Sequence, residues 1–161
     1  MSGTSFDGLM GTLDYPMFIV TVRRGDELGG CLIGFASQAS IRPGRFLACL
    51  SDKNHTFRLA EHAEHLAVHF VPADAEDLAQ VFGGQTGDEV DKFAQCEWDE
   101  GAHGLPILRR CENWFVGRVR DRFGFGDHVG FLLEPEEVHH GSEGRQFTFH
   151  RAKRIEPGHE P

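Results

Sequence analysis

The run Met17 to Arg24 is β-branched and aromatic, is followed at once by Gly25-Asp26, and gives way to a second extended run, Leu28 to Phe35. Two such runs joined by a glycine-containing two-residue turn form an antiparallel β-hairpin. The hairpin sets the pattern for the rest of the chain. Further strands are expected at Arg45 to Leu50, at Leu66 to Val71, at Asn113 to Phe123, at His128 to Leu133 after a turn over Gly124 to Asp127, and at Gln146 to Arg151. They do not alternate regularly with helices, which excludes a doubly wound parallel sheet and favours one mostly antiparallel barrel. Twenty glycines supply the turns, and fourteen Phe against a single Tyr supply aromatic bulk that fills space without seeking water.

Short helices fit at the rims. Phe6, Leu9, Met10 and Leu13 share one face of a leading helix over Ser5 to Leu13, with Thr4 or Ser5 as its cap. A second is expected over Thr56 to Ala63, capped by Asn54, and a third over Ala75 to Phe82, capped by Asp74 and closed by Gly83. Ala36 to Gly44, small and polar, reads as a loop, and Gly84 to Gly104 as a long polar excursion of the kind that carries function. The chain is therefore expected to hold one domain, residues 1–153, and a mobile C-terminal tail, residues 154–161.

Composition narrows the function. A net charge of −9 opposes binding to nucleic acid or an anionic membrane, because both need clustered Lys and Arg. The longest apolar run is far short of a membrane span, and the first basic residue is Arg23, so a cytoplasmic location is the expectation. Cys31, Cys49, Cys96 and Cys111 are irregularly spaced and read as buried thiols, not as a zinc knuckle or a redox pair. His62, His65 and His69 are the densest histidines, but their spacing suits no single helix face, so no metal site is expected.

Three places could carry chemistry. Ser37-Gln38-Ala39-Ser40 are small or polar, and small side chains let the backbone approach a flat polar ring; a plain surface loop is the bland alternative. Lys53, Asn54 and Thr56 open a helix, where free N–H groups, a hydroxyl and an ammonium suit a phosphate, unless Asn54 is only a cap. His128 follows Gly126-Asp127 at the start of a strand, as a turn residue or as a contact to a charged group near neutral pH. Arg118, Arg120 and Arg122 alternate and should share a solvated face. Gly83-Gly84-Gln85-Thr86-Gly87 follows a helix and lacks a P-loop lysine, so it is set aside.

Taken in order, these segments resemble the flavin reductase-like proteins with an FMN-binding split β-barrel. The resemblance runs from about Leu13 to Lys153. It rests on the opening strand Pro16 to Val22, the Ser37 to Pro43 segment, Asn54-x-Thr56, Leu78 to Phe82-Gly83 ahead of Lys92-Phe93, Gly104 to Leu108, and Gly126-Asp127-His128. Gly34-Phe35 stand where many members have Asn-Ser.

The resemblance implies a mainly β fold, an antiparallel Greek-key split barrel with short peripheral helices, and a homodimer. It implies FMN (or FAD) as cofactor and NADH or NADPH as co-substrate, with hydride passing from nicotinamide to flavin N5. By position, Ser37, Gln38, Ala39 and Ser40 would meet the isoalloxazine and ribityl chain, Lys53, Asn54 and Thr56 the phosphate, and His128 the place where the two rings stack. Reduced flavin could supply a partner flavin-dependent monooxygenase. The competing readings are a split barrel that holds flavin or haem without turnover, and a reductase using a deazaflavin.

Overall fold

In the computed structural model, which describes residues 3–84 and 91–155, seven strands form one antiparallel sheet. In chain order they are β1 (Phe18–Arg24), β2 (Glu27–Ile33), β3 (Ala36–Ser40), β4 (Arg45–Ser51), β5 (His65–Phe70), β8 (Asn113–Gly124) and β9 (His128–His140). Their spatial order is β2-β1-β5-β8-β9-β4-β3. A small hairpin of β6 (Trp98–Glu100) and β7 (Pro106–Leu108) stands apart. The helices are α1 (Gly3–Met10), α2 (His55–Ala60), α3 (Glu76–Gly84) and α4 (Phe149–Ala152).

The sheet curls until its distant members share one core: Cys31 and Ile33 of β2 pack in the same cluster as Ala48 and Leu50 of β4, with Phe18, Val20, Leu66, Val68, Phe115, Phe131 and Leu133 between them. This is the split barrel. A second core lies outside it, where Met17, Ile19 and Val71 meet Leu78 and Phe82 of α3, Phe93, Leu108 and Phe147. The inward face of β1 lines the first core and its outward face the second. Burial on both faces is why residues 17–20 read as a continuous apolar run; Thr21, also buried, donates its hydroxyl to Pro106 O at 2.7 Å.

Close packing fixes the outer layer. A Cβ at Gly30 would lie 2.6 Å from the Phe82 ring, so glycine there lets α3 rest directly on β2. Lys92, in a single 3₁₀ turn (Lys92–Ala94), buries its ammonium between two backbone acceptors, Gly30 O at 2.9 Å and Phe82 O at 3.1 Å. His69, fully buried on β5, has its Nδ1 3.0 Å from Ile19 O and accepts from the Leu108 N–H through Nε2.

Several expectations are corrected. Residues 36–40 are the edge strand β3, because pairing with β4 supplies the hydrogen bonds that a small, polar sequence does not advertise. The segment 146–151 is not a strand: Gln146 and Thr148 make isolated bridges to Pro72 and Pro16, and the chain then turns into α4. Helix α3 runs through Gly83 to Gly84, so Gly83 lies inside the helix. Strand β9 continues seven residues beyond Leu133 to His140. Strand β8 is bulged beside Arg120, which breaks the expected alternation, and Arg122 caps the end of α2 by donating to Ala60 O at 3.1 Å. Helix α1 forms, but its apolar face, Phe6 and Leu9, stays exposed. The expected excursion is in part ordered as the β6–β7 hairpin; its residues 85–90, and residues 156–161 of the expected tail, lie outside the described residues. Ile155 packs against the second core. Among the described residues no helix is long and apolar enough to cross a membrane.

Candidate functional site

The end of β4 and the start of β9 lie side by side, with Ser51 opposite His128. From Ser51 the chain turns into α2. Asn54 N–H donates to Ser51 O at 3.1 Å, and the Asn54 side chain accepts from Thr56 N–H at 2.7 Å, the capping geometry expected of this residue. Across the gap, Asp52 N–H donates to Asp127 O at 2.9 Å, which fastens the Gly126-Asp127 turn to the helix entrance. Gly126 has φ +150, which few other residues adopt readily.

These two turns border a cleft of about 230 Å³. Its lining includes Phe35, Cys49, Ser51, Asn54 and His128 together with Tyr15, Phe149, Leu32 and Gly83. Tyr15 and Phe149 stack with ring centroids 4.7 Å apart, and Phe149 N–H donates to Tyr15 O, so these two form a rigid aromatic pair. The floor is tight at Gly34, where a Cβ would meet the Tyr15 ring at 2.6 Å.

Two of the candidates, Asn54 and His128, therefore converge, beside Phe35, which stands just ahead of the 36–40 segment. The His128 ring sits 4.9 Å from that of Phe35, and its Nδ1 lies 2.8 Å from Asp127 Oδ1. The carboxylate can only accept, so Nδ1 carries the proton and Nε2 is left as the ring's other polar atom. The same hydrogen bond holds the Asp127 carboxyl below its ordinary range.

Ser37, Gln38 and Ala39 are exposed and Ser40 half-buried along β3. They do not line the cleft; Phe35, just ahead of them, does. Ser37 and Gln38 pair with Leu47 and Phe46, and the register shifts at Ala39, while the other edge of β3 has no strand neighbour among the described residues. Lys53 is exposed beside the cleft entrance, close enough to Asp127 to lower its carboxyl further. Thr56 is buried, and its side chain bonds to the Cys31 thiol, so its hydroxyl faces the core. Tyr15, Phe149, Cys49 and Ser51 were not picked out as site residues from the sequence; only long-range contacts bring Tyr15 and Phe149 together, and no local pattern announces them.

Burial pushes all four thiols up, Cys111 to about 12, so none is a thiolate nucleophile at neutral pH. The cleft offers aromatic walls, backbone edges and one histidine.

Groups of these kinds can bind and orient a planar ligand, and they stand here on an antiparallel split barrel. The chain belongs to the flavin reductase-like domain family, whose model matches residues 10–156. It is 26% identical over 155 residues to an NADH-dependent FMN reductase of Streptomyces nodosus subsp. asukaensis, covering 92% of this chain and 81% of that protein. It is 26% identical over 113 residues to the reductase component of 4-hydroxyphenylacetate 3-monooxygenase of Pseudomonas aeruginosa, covering 68% of this chain and 66% of the relative. The NADH:FAD oxidoreductase of Streptomyces globisporus superposes with a TM-score of 0.84 at 21% identity, covering 92% of this chain and 88% of that one. The chain spans only 36% and 66% of the length of two curated relatives it matches.

Proposed function

We propose that this protein is an NAD(P)H-dependent flavin reductase, a homodimer that takes FMN or FAD and NADH or NADPH, and that passes reduced flavin to a partner monooxygenase. The observation that carries the reading is the meeting of Asn54 and His128 in one cleft walled by Phe35, Tyr15 and Phe149. The relatives named as flavin reductases and as a monooxygenase's reductase component support it.

The residues present suit a flavin. Phe35, more than half exposed, gives a planar ring a face to lie against, and the stacked Tyr15–Phe149 pair gives an apolar wall. The unpaired edge of β3, Ala36–Ser40, offers backbone donors and acceptors for the ring's oxygens and its N3–H. Lys53, exposed at the entrance to α2, supplies positive charge for the phosphate beside Asn54. Because the Thr56 hydroxyl faces Cys31, its contribution there is to hold the helix start in place. The domain is taken as residues 1–153, with residues 154–161 as tail.

The reaction chemistry, hydride transfer from nicotinamide to flavin N5, resides in the cofactors themselves. The chain's part is to hold the two rings in register and to keep water out. Asp127 fixes the His128 tautomer, which supports assigning His128 the orienting of the nicotinamide end of the co-substrate.

The test is to purify the protein, record its visible spectrum, and follow NADH and NADPH oxidation with riboflavin, FMN and FAD. Turnover with at least one flavin is expected. Tightly held, stoichiometric flavin or haem with no oxidation of either nucleotide would select a storage or sensing module instead.

A further inference from the structure

Away from the cleft, three residues distant in sequence meet at one point: His65 at the start of β5, His103 in the 3₁₀ turn (Ala102–Gly104) before β7, and Glu136 on β9. The Glu136 Oε1 lies 2.9 Å from His65 Nε2 and 3.6 Å from His103 Nε2. The two imidazoles stack with centroids 3.6 Å apart and planes 10° from parallel. We propose that His65, His103 and Glu136 form a binding site for a divalent transition-metal ion of the zinc class, which would pin the β6–β7 hairpin to the main sheet.

Two backbone features aim these side chains. His103 has φ 58, a left-handed conformation uncommon outside glycine, and Gly104 follows it at φ 73. Glu136 is the extra residue of a β-bulge, since Val116 pairs with Glu137 and Gly117 with Pro135. Bulges redirect a side chain out of the ladder's alternation, and here the carboxylate is turned onto the two rings.

The ligand set fits the class. Two imidazole nitrogens and one carboxylate oxygen suit zinc and its neighbours over magnesium or calcium, and three protein ligands leave a position for water. A tetrahedral zinc with bonds near 2.1 Å separates its ligand atoms by ~3.4 Å. The observed 2.9 and 3.6 Å bracket that value. With the rings only 10° from parallel, one must tilt for both lone pairs to meet one ion; His65 is largely enclosed, whereas the His103 side chain is 49% exposed and is the ring that tilts on binding. The nearby Arg23 guanidinium, which donates to Gly104 O, is neutralised by Glu100 at 3.1 Å.

The experiment uses metal-free full-length protein titrated with zinc chloride by calorimetry, and with cobalt(II) followed by its visible d–d absorption. One ion per chain is expected, with a rise in thermal midpoint at saturation. His103→Ala and Glu136→Gln, both at exposed side chains, should each weaken affinity at least about tenfold and remove the rise. His62→Ala and His140→Ala should bind as the parent does. Absence of binding at millimolar zinc, or undiminished binding by the His103→Ala/Glu136→Gln double variant, would overturn the proposal. Since these residues lie outside the flavin cleft, flavin turnover by metal-free protein tests the two readings separately.

Discussion

The Leu108 N–H donates to His69 Nε2 at 3.1 Å, and this bond joins strand β7 to β5 alongside the packing of Ile107 on Ala67. With Nδ1 against Ile19 O, the ring is fully engaged in its neutral form, and burial lowers its pKa from 6.5 to about 4.

A histidine with a depressed folded pKa binds fewer protons folded than unfolded between those two values. Stability should therefore be complete above pH 6.5, decline as pH falls toward about 4, and level off below. The contribution at stake is about 3 kcal/mol. Urea unfolding at a series of pH values would measure it, with His69→Gln as control; an unchanged slope in that variant would reject the assignment.

His128→Ala should lower the hydride-transfer rate by about tenfold while leaving flavin affinity nearly unchanged, because only the ternary complex uses the contact. Stopped-flow reduction and flavin titration separate the two. A variant with parental turnover would leave His128 as a turn residue that holds Asp127, and a joint loss of thermal stability and both affinities would mean the same.

Lys53→Ala should weaken FMN binding by about 1.5–3 kcal/mol and leave riboflavin binding unchanged, since the phosphate is the part of the ligand that the ammonium would meet. Thr56 is unsuited to this test because its hydroxyl is buried against Cys31. Equal losses for both ligands would place the phosphate elsewhere.

The chain should be a homodimer at micromolar concentration. Phe6, Leu9, Phe35, Ile41, Phe125 and Val138 are all more than half exposed, and Phe35 borders the cleft itself. Apolar surface of this kind is commonly covered by a two-fold partner. Light scattering giving the mass of one chain would refute it.

Strands rich in β-branched and aromatic residues were legible in the sequence: β1 and β8 lie within a residue of their expected ends. Strand β3 was not, because Ala36 to Ser40 carries no apolar face and owes its extension to β4. Phe147 looked like a strand residue and is instead a buried plug, held by an N–H bond to Val71 O that no local pattern encodes. Of the site, the Asn54 cap and the His128 turn could be read locally. The Tyr15–Phe149 wall could not, since its two halves come from opposite ends of the chain.

The buried ammonium of Lys92 makes the protein carry its own unfolding clock. The chain has three lysines, Lys53, Lys92 and Lys153, and the first and last are exposed. An acylating reagent should modify those two at once, but reach Lys92 only when the 3₁₀ turn detaches from Gly30 and Phe82. The acyl group on Lys92 itself, located by peptide mass spectrometry over time, then reports how often the outer layer lifts from the barrel.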